Sequence, residues 1–220
     1  MKKIIIGGIV ALASILAPQP AQAQGTMAYL SNVDQPSAGS FAVGSDSWLA
    51  AGFATGTNAS GYTLDSIQLR MADASGTPSG FTVMLYTMAV NAGLPGHSLA
   101  TLDSSLSPIT GGIFSYTPTS SLTLFPRTHY FIVLTAGTAI ANGAYDWSNV
   151  DPNSYNPSGG WVGFGGGVLT SSDGSFWSSI SGNSAQFAIN ATAIPEPGVL
   201  GLLGLGGLAF FWHRRKAKAL

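Results

Sequence analysis

The chain has 220 residues, of which 29 are glycine and 12 proline, with no cysteine. Charged residues make up 8% of it, against about 25% in an ordinary soluble protein, which excludes both a highly charged disordered chain and, with so many breakers, a multi-span membrane protein. Six of the eight Lys and Arg sit at the two ends, so residues 24–194 hold eight Asp, no Glu, no Lys and only Arg70 and Arg127; that balance near −6 excludes a nucleic-acid partner, because almost no cation is present to neutralise phosphate.

Residues 1–23 read as a secretory signal peptide. Lys2 and Lys3 precede an apolar run from Ile4 to Leu16, and the small-residue site Ala21-Gln22-Ala23 follows Pro18 and Pro20. Cleavage is expected after Ala23, with Ala21 and Ala23 as the recognised small residues. The apolar run would span only about 20 Å as a helix, short of the roughly 30 Å hydrocarbon layer, so a permanent anchor here is disfavoured. Export through a Sec-type machinery is the expected route.

The central part, 24–194, is punctuated too often by Ser, Thr, Gly and Pro for long helices. Short alternating runs predict strands at 27–33, 40–43, 48–54 and 62–71, the last with a slip in period near Asp65 and Ser66 that predicts a bulge. Val83 and Leu85 alternate with Met84, Tyr86 and Met88; His129, Phe131 and Val133 alternate with Tyr130, Ile132 and Leu134. Further strands are predicted at 113–117, 121–125, 144–148, 161–170 and 185–191. About ten short strands without intervening helical patterns predict an all-β fold, an antiparallel β-sandwich of jelly-roll type. The spacing of Leu64 and Leu69, of 83–86, of Leu99 and Leu102, of 122–124 and of 129–134 resembles the exported choice-of-anchor β-domains, type R in particular. That resemblance implies no catalytic residues.

The chemistry-bearing residues are few. Without cysteine there is no thiol nucleophile, Cys-rich zinc site or disulfide. His97 follows the turn-like Leu94-Pro95-Gly96 and reads as a loop residue, and His129 as a packed strand residue. No G-x-S-x-G occurs, so no catalytic residue is assigned. The segment Asp151-Pro152-Asn153-Ser154-Tyr155-Asn156 offers alternating oxygens but lacks the Gly and Glu of a calcium loop, so no metal or cofactor is assigned either. Asn58-Ala59-Ser60 and Asn190-Ala191-Thr192 match the glycosylation triplet. Aromatic side chains give one binding lead: Trp147, Tyr155, Trp161 and Trp177 lie in a Gly/Ser/Asn-rich region, where exposed rings could stack on sugars; filling of the core is the competing reading.

Residues 195–220 change character again. Pro195-Glu196-Pro197 is followed by fifteen uncharged residues, 198–212, and then by a basic tail, 213–220, carrying Arg214, Arg215, Lys216 and Lys218. Positive charge beside an apolar segment stays cytoplasmic, so the tail is expected inside and the domain outside. A helix of that length covers only about 22 Å, which suits a temporary transmembrane anchor. The order of these elements resembles the PEP-CTERM sorting signal. The resemblance implies an exosortase, a membrane transpeptidase-like enzyme, as processing partner, with Pro195, Glu196 and Pro197 as the sorting motif. The expected protein is a non-enzymatic one of a Gram-negative bacterium, held transiently in the inner membrane and then placed at the cell surface or in an extracellular polysaccharide matrix. The alternative is a carbohydrate-binding module acting on that polysaccharide.

Overall fold

The computed structural model describes residues 25–90, 93–151, 155–164, 167–180 and 182–196. The leader with Ala21 and Ala23, Pro197, the 198–212 segment and the basic residues from Arg214 to Lys218 lie outside them. Gly25–Ile194 form one compact unit. Among the described residues the only helical element is a three-residue 3₁₀ turn at Ile140–Asn142.

Sixteen strands are present among the described residues, more than the ten expected. The first half of the chain gives β1 (Met27–Ser31), β2 (Gly39–Val43), β3 (Trp48–Ala54), β4 (Tyr62–Gly76), β5 (Thr82–Met88), β6 (Pro95–Asp103) and β7 (Gly112–Pro118). There follow β8 (Thr123–Leu124), β9 (His129–Thr135), β10 (Gly143–Val150), β11 (Asn156–Pro157), β12 (Val162–Gly163), β13 (Val168–Ser171), β14 (Ser178–Ile180), β15 (Ser184–Ala185) and β16 (Phe187–Ala193). Every pairing is antiparallel. The main path runs β11-β1-β16-β4-β7-β6-β5-β9-β3-β13-β14, with β10 on the far part of β4 and β2 on β10. The sheet curls on itself, because Leu49 and Phe53 of β3 and Leu85 of β5 share one core with Ile67 and Leu69 of β4 and Ile189 of β16.

Alternation explains which side each strand buries. In β9 the Tyr130, Ile132 and Leu134 side chains enter the main core, while Phe131 and Val133 meet Ala50 of β3 on the opposite face. That second cluster is covered by Trp48, Met84, Tyr86, Phe164 and Trp177. Two-sided burial is why β3 and β9 read as nearly unbroken apolar runs. A β-carbon on Gly52 would collide with the Phe164 ring, so only glycine lets that ring cap β3.

The predicted slip at Asp65 is a real bulge. Asn190 pairs with Ser66 and Ala191 with Leu64, which leaves Asp65 unpaired between them. Beyond Leu69 the partner of β4 changes from β16 to β10, and Gln186 carries the chain across the gap: Arg70 N donates to the Gln186 carbonyl at 3.1 Å. Gln186 is fully buried and its amide nitrogen donates to the carbonyls of Asn32 at 3.1 Å and Gln35 at 2.8 Å. Asn32 completes the crossing by donating to Ala185 O at 3.0 Å and accepting from Phe187 N at 2.8 Å.

Buried tyrosines give the fold a pH limit. Burial pushes the phenols of Tyr116, Tyr130 and Tyr155 above their ordinary value. A raised folded-state value means that the folded chain holds its phenolic protons more tightly, so this stability is complete below about pH 10 and is lost as pH climbs past it. Thermal melting is therefore expected to fall steeply above about pH 10, together with the rise of tyrosinate absorbance. A melting curve that declines well before the phenols ionise would contradict this.

Candidate functional site

Both ends of the compact unit meet at one place. In the antiparallel pair of β1 and β16, Met27 lies opposite Ala191, so the chain enters and leaves the sheet side by side. The bulged Asp65 ties the two: one carboxylate oxygen accepts from Thr26 Oγ1 and from Thr192 Oγ1, each at 2.8 Å. The bulge frees this side chain from the regular ladder, and the sheet edge supplies the two hydroxyls.

Two residues beyond Thr192, the backbone is held by a turn. Asn58 Nδ2 donates to Gly61 O at 2.7 Å and to Ile194 O at 2.9 Å, while Ile194 N donates to Gly61 O at 3.0 Å. Gly61 sits at φ 80°, and a β-carbon there would lie 2.6 Å from Leu124 O, so the turn requires glycine. Past this clamp Pro195 and Glu196 are exposed and outside any strand. Proline keeps the preceding residue extended, so Ile194 leaves the sheet as a strand continuation rather than a helix. The arrangement leaves Pro195 and Glu196 exposed immediately after a fixed point. Asn58→Ala is expected to cost about 1–2 kcal/mol, because two acceptors lose their donor, and to speed amide exchange at 192–194. Unchanged protection there would show that the clamp does not hold the strand end.

The sugar-stacking cluster is not brought together at the surface. Trp147 is 0% exposed with its indole nitrogen donating to Gln186 O at 2.9 Å, and Trp161 is 1% exposed in the main core. Tyr155 lies against Phe187, ring centres 5.3 Å apart, and Trp177 covers the second cluster on the opposite face of the sheet. The reading of Trp147, Tyr155, Trp161 and Trp177 as one platform is therefore corrected: two rings have no free face. Alternation within β10, where Tyr145 and Trp147 share the buried face with the apolar core, is the signal that could have shown this for Trp147.

The histidines also separate. His97 is exposed on β6 rather than in a loop, because the backbone of 95–98 pairs with β5 through two register shifts. His129 lies on β9 as expected, its Nδ1 3.3 Å from Met88 Sδ and its ring edge-on to Phe164 at 4.8 Å. Of the calcium-like segment, residues 152–154 lie outside the described ones, and no group of three or more His, Cys, Asp or Glu placed for a metal occurs among the described residues. The amides of both glycosylation triplets are engaged internally, Asn58 in the clamp and Asn190 as donor to Ser66 Oγ at 3.0 Å.

No curated protein and no solved structure matches the chain. Residues 193–216 match the PEP-CTERM protein-sorting motif, and the match begins at Ala193, the last residue of β16, so the clamp at Ile194 is the junction between sheet and sorting signal.

Proposed function

We propose that the protein is an exported, non-enzymatic β-sandwich protein whose destination is set by its C-terminal sorting signal. The observation that carries this reading is the motif at 193–216, beginning where β16 ends and followed by the exposed Pro195 and Glu196. The signal peptide directs the chain through a Sec-type machinery. Residues 198–212 then hold it in the inner membrane, with Arg214, Arg215, Lys216 and Lys218 on the cytoplasmic side. An exosortase cuts at or near Pro195-Glu196-Pro197 and releases the domain to the cell surface or extracellular matrix. Close approach of Thr26 and Thr192, 3.5 Å apart through their hydroxyls, supports this reading, since the domain's first and last strands then begin and end side by side. The likeness of the domain to the choice-of-anchor β-domains, type R in particular, rests on strand pattern alone.

Fractionation of the native cell with C-terminal mass mapping tests the reading. The surface or medium fraction is expected to contain a chain that ends near residue 197 and lacks the basic tail. A chain lacking 213–220 is expected to lose this processing, because the topology signal is gone. A released protein that still carries Arg214 to Lys218 would overturn the proposal.

A further inference from the structure

The loop between β8 and β9 stands beside the point where the chain leaves the sheet. Leu124 lies against Gly61, whose carbonyl accepts from Ile194 N at 3.0 Å, and Phe125 and Arg127 follow Leu124 directly. The backbone of this loop is pinned. Phe125 N donates to Tyr130 Oη at 2.9 Å, Thr55 Oγ1 donates to Phe125 O and accepts from Thr128 N at 2.9 Å, and Arg127 N donates to Gly56 O at 2.9 Å. Arg127 is held at φ 50°, a region that residues other than glycine seldom adopt.

This pinned loop turns an apolar ring outward. Phe125 is 66% exposed, and Val162, which pairs with Ala54 next to Thr55, is 54% exposed beside it. Apolar side chains also lie open at the other end of β4, but in a different electrostatic setting. There Ile109 O accepts from Ala74 N next to Asp73, Ile140 N donates to the Asp46 carboxylate, and Asp146 pairs with Ala72, so an anionic surface would be repelled. The β8–β9 loop instead carries Arg127, one of the two cations of residues 24–194. The other, Arg70, is turned away to Val33 O at 2.7 Å, and the carboxylate of Asp65 is turned to Thr26 and Thr192.

Chain length selects what covers the ring. Only residues 195–197 separate Ile194 from the apolar segment 198–212, and three extended residues reach about 11 Å. A chain whose 198–212 segment lies in a bilayer therefore keeps Ile194, and the β8–β9 loop beside it, close to the lipid headgroups. An outward aromatic ring next to a cation is the chemistry of a contact with an anionic lipid surface: the ring leaves water among the headgroups and the guanidinium meets phosphate. We propose that Phe125 and Arg127 dock this end of the domain on anionic lipid while the chain is anchored. The docking rests on the reading of 198–212 as a membrane anchor, and it adds a second, reversible contact made by the folded domain itself.

The chain has no cysteine, so single cysteines report position without background. Val162→Cys, Leu205→Cys and Ile140→Cys, each carrying an environment-sensitive fluorophore, are placed in the full chain in nanodiscs of phosphatidylcholine with or without phosphatidylglycerol. Lipids bearing a nitroxide at the headgroup or at mid-chain then quench each label by depth. The label at 205 is expected to be quenched from mid-chain, and the label at 162 from the headgroup in the anionic discs, about twofold or more above the label at 140. Phe125→Ser and Arg127→Asn, the latter tolerant of positive φ, should each lower the quenching at 162 by about half while leaving thermal melting unchanged. No quenching at 205 would overturn the anchor and the docking with it. Quenching at 205 together with equal signals at 162 and 140, or with a signal at 162 that Phe125→Ser leaves unchanged, would overturn the docking and leave the anchor standing. A signal at 162 that appears only with two copies in a disc would assign this end to self-association and overturn the docking likewise.

Discussion

Trp161→Ala is expected to lower the unfolding free energy by about 3–5 kcal/mol, and the melting temperature by about 10 °C or more. The indole is the centre of an aromatic group at the end of the domain where the termini leave. It stacks on Tyr29 at 5.2 Å and on Phe53 at 5.8 Å, with interplanar angles of 20° and 9°, and meets Tyr62 edge-on at 5.0 Å. Deleting it removes these contacts and leaves a cavity that three separate strands line, so collapse is incomplete. Trp161→Phe keeps much of the stacking and removes an indole nitrogen that has no hydrogen-bond partner, so a smaller cost of about 1–2 kcal/mol is expected. Chemical denaturation of the three proteins measures both. A loss under about 0.5 kcal/mol for Trp161→Ala would be the behaviour of a surface ring and would contradict the core assignment.

Gly56→Ala is expected to cost about 3 kcal/mol or more, in spite of adding a single methyl group. The new β-carbon would overlap the Gly159 carbonyl oxygen, and would lie 2.7 Å from Tyr62 Oη and 2.8 Å from Trp161 Cδ1. One obstacle is backbone and another is the fixed indole, so no flexible side chain can swing aside. Gly112→Ala is the control: its nearest neighbour to an added β-carbon is 3.6 Å away, in the Phe114 ring, and a change within about 0.5 kcal/mol is expected. The pair Gly56→Ala and Trp161→Ala should fall short of additivity, because removal of the indole relieves one of the overlaps. Equal stability of Gly56→Ala and the wild type would mean that the turn around Gly159 is looser than described.

These variants also bear on what patterning could reveal. The alternations in β5 and β9 were legible because apolar side chains recur at every second position, and β3 was matched end to end at Trp48 and Ala54. Even the bulge at Asp65 appeared as a one-residue slip. By contrast β6 is not legible, since Pro95-Gly96 reads as a turn and its outward residues Ser98 and Thr101 are polar. The extension of β4 from Ala72 to Gly76 has little strand propensity of its own and exists because β10 pairs with it. A single strand expected at 161–170 is instead β12 and β13, which both pair with β3. The neighbourhood of Trp147 and Trp161 is rich in Gly, Ser and Asn and so resembles a loop surface, although the rings point inward.

By itself the sequence determined the all-β class, the acidic balance of the middle and the sorting motif at 193–216. Each of these is written in local composition, in alternation of period two, or in a short ordered motif. The tertiary structure alone decided that Trp147 and Trp161 are core and that Asp65 and Asn58 hold the end of β16, where the sorting motif begins. Those outcomes depend on register between strands far apart in the chain, such as Met27 opposite Ala191. Register is fixed by burial of a whole sheet face at once, so no local stretch of sequence carries it.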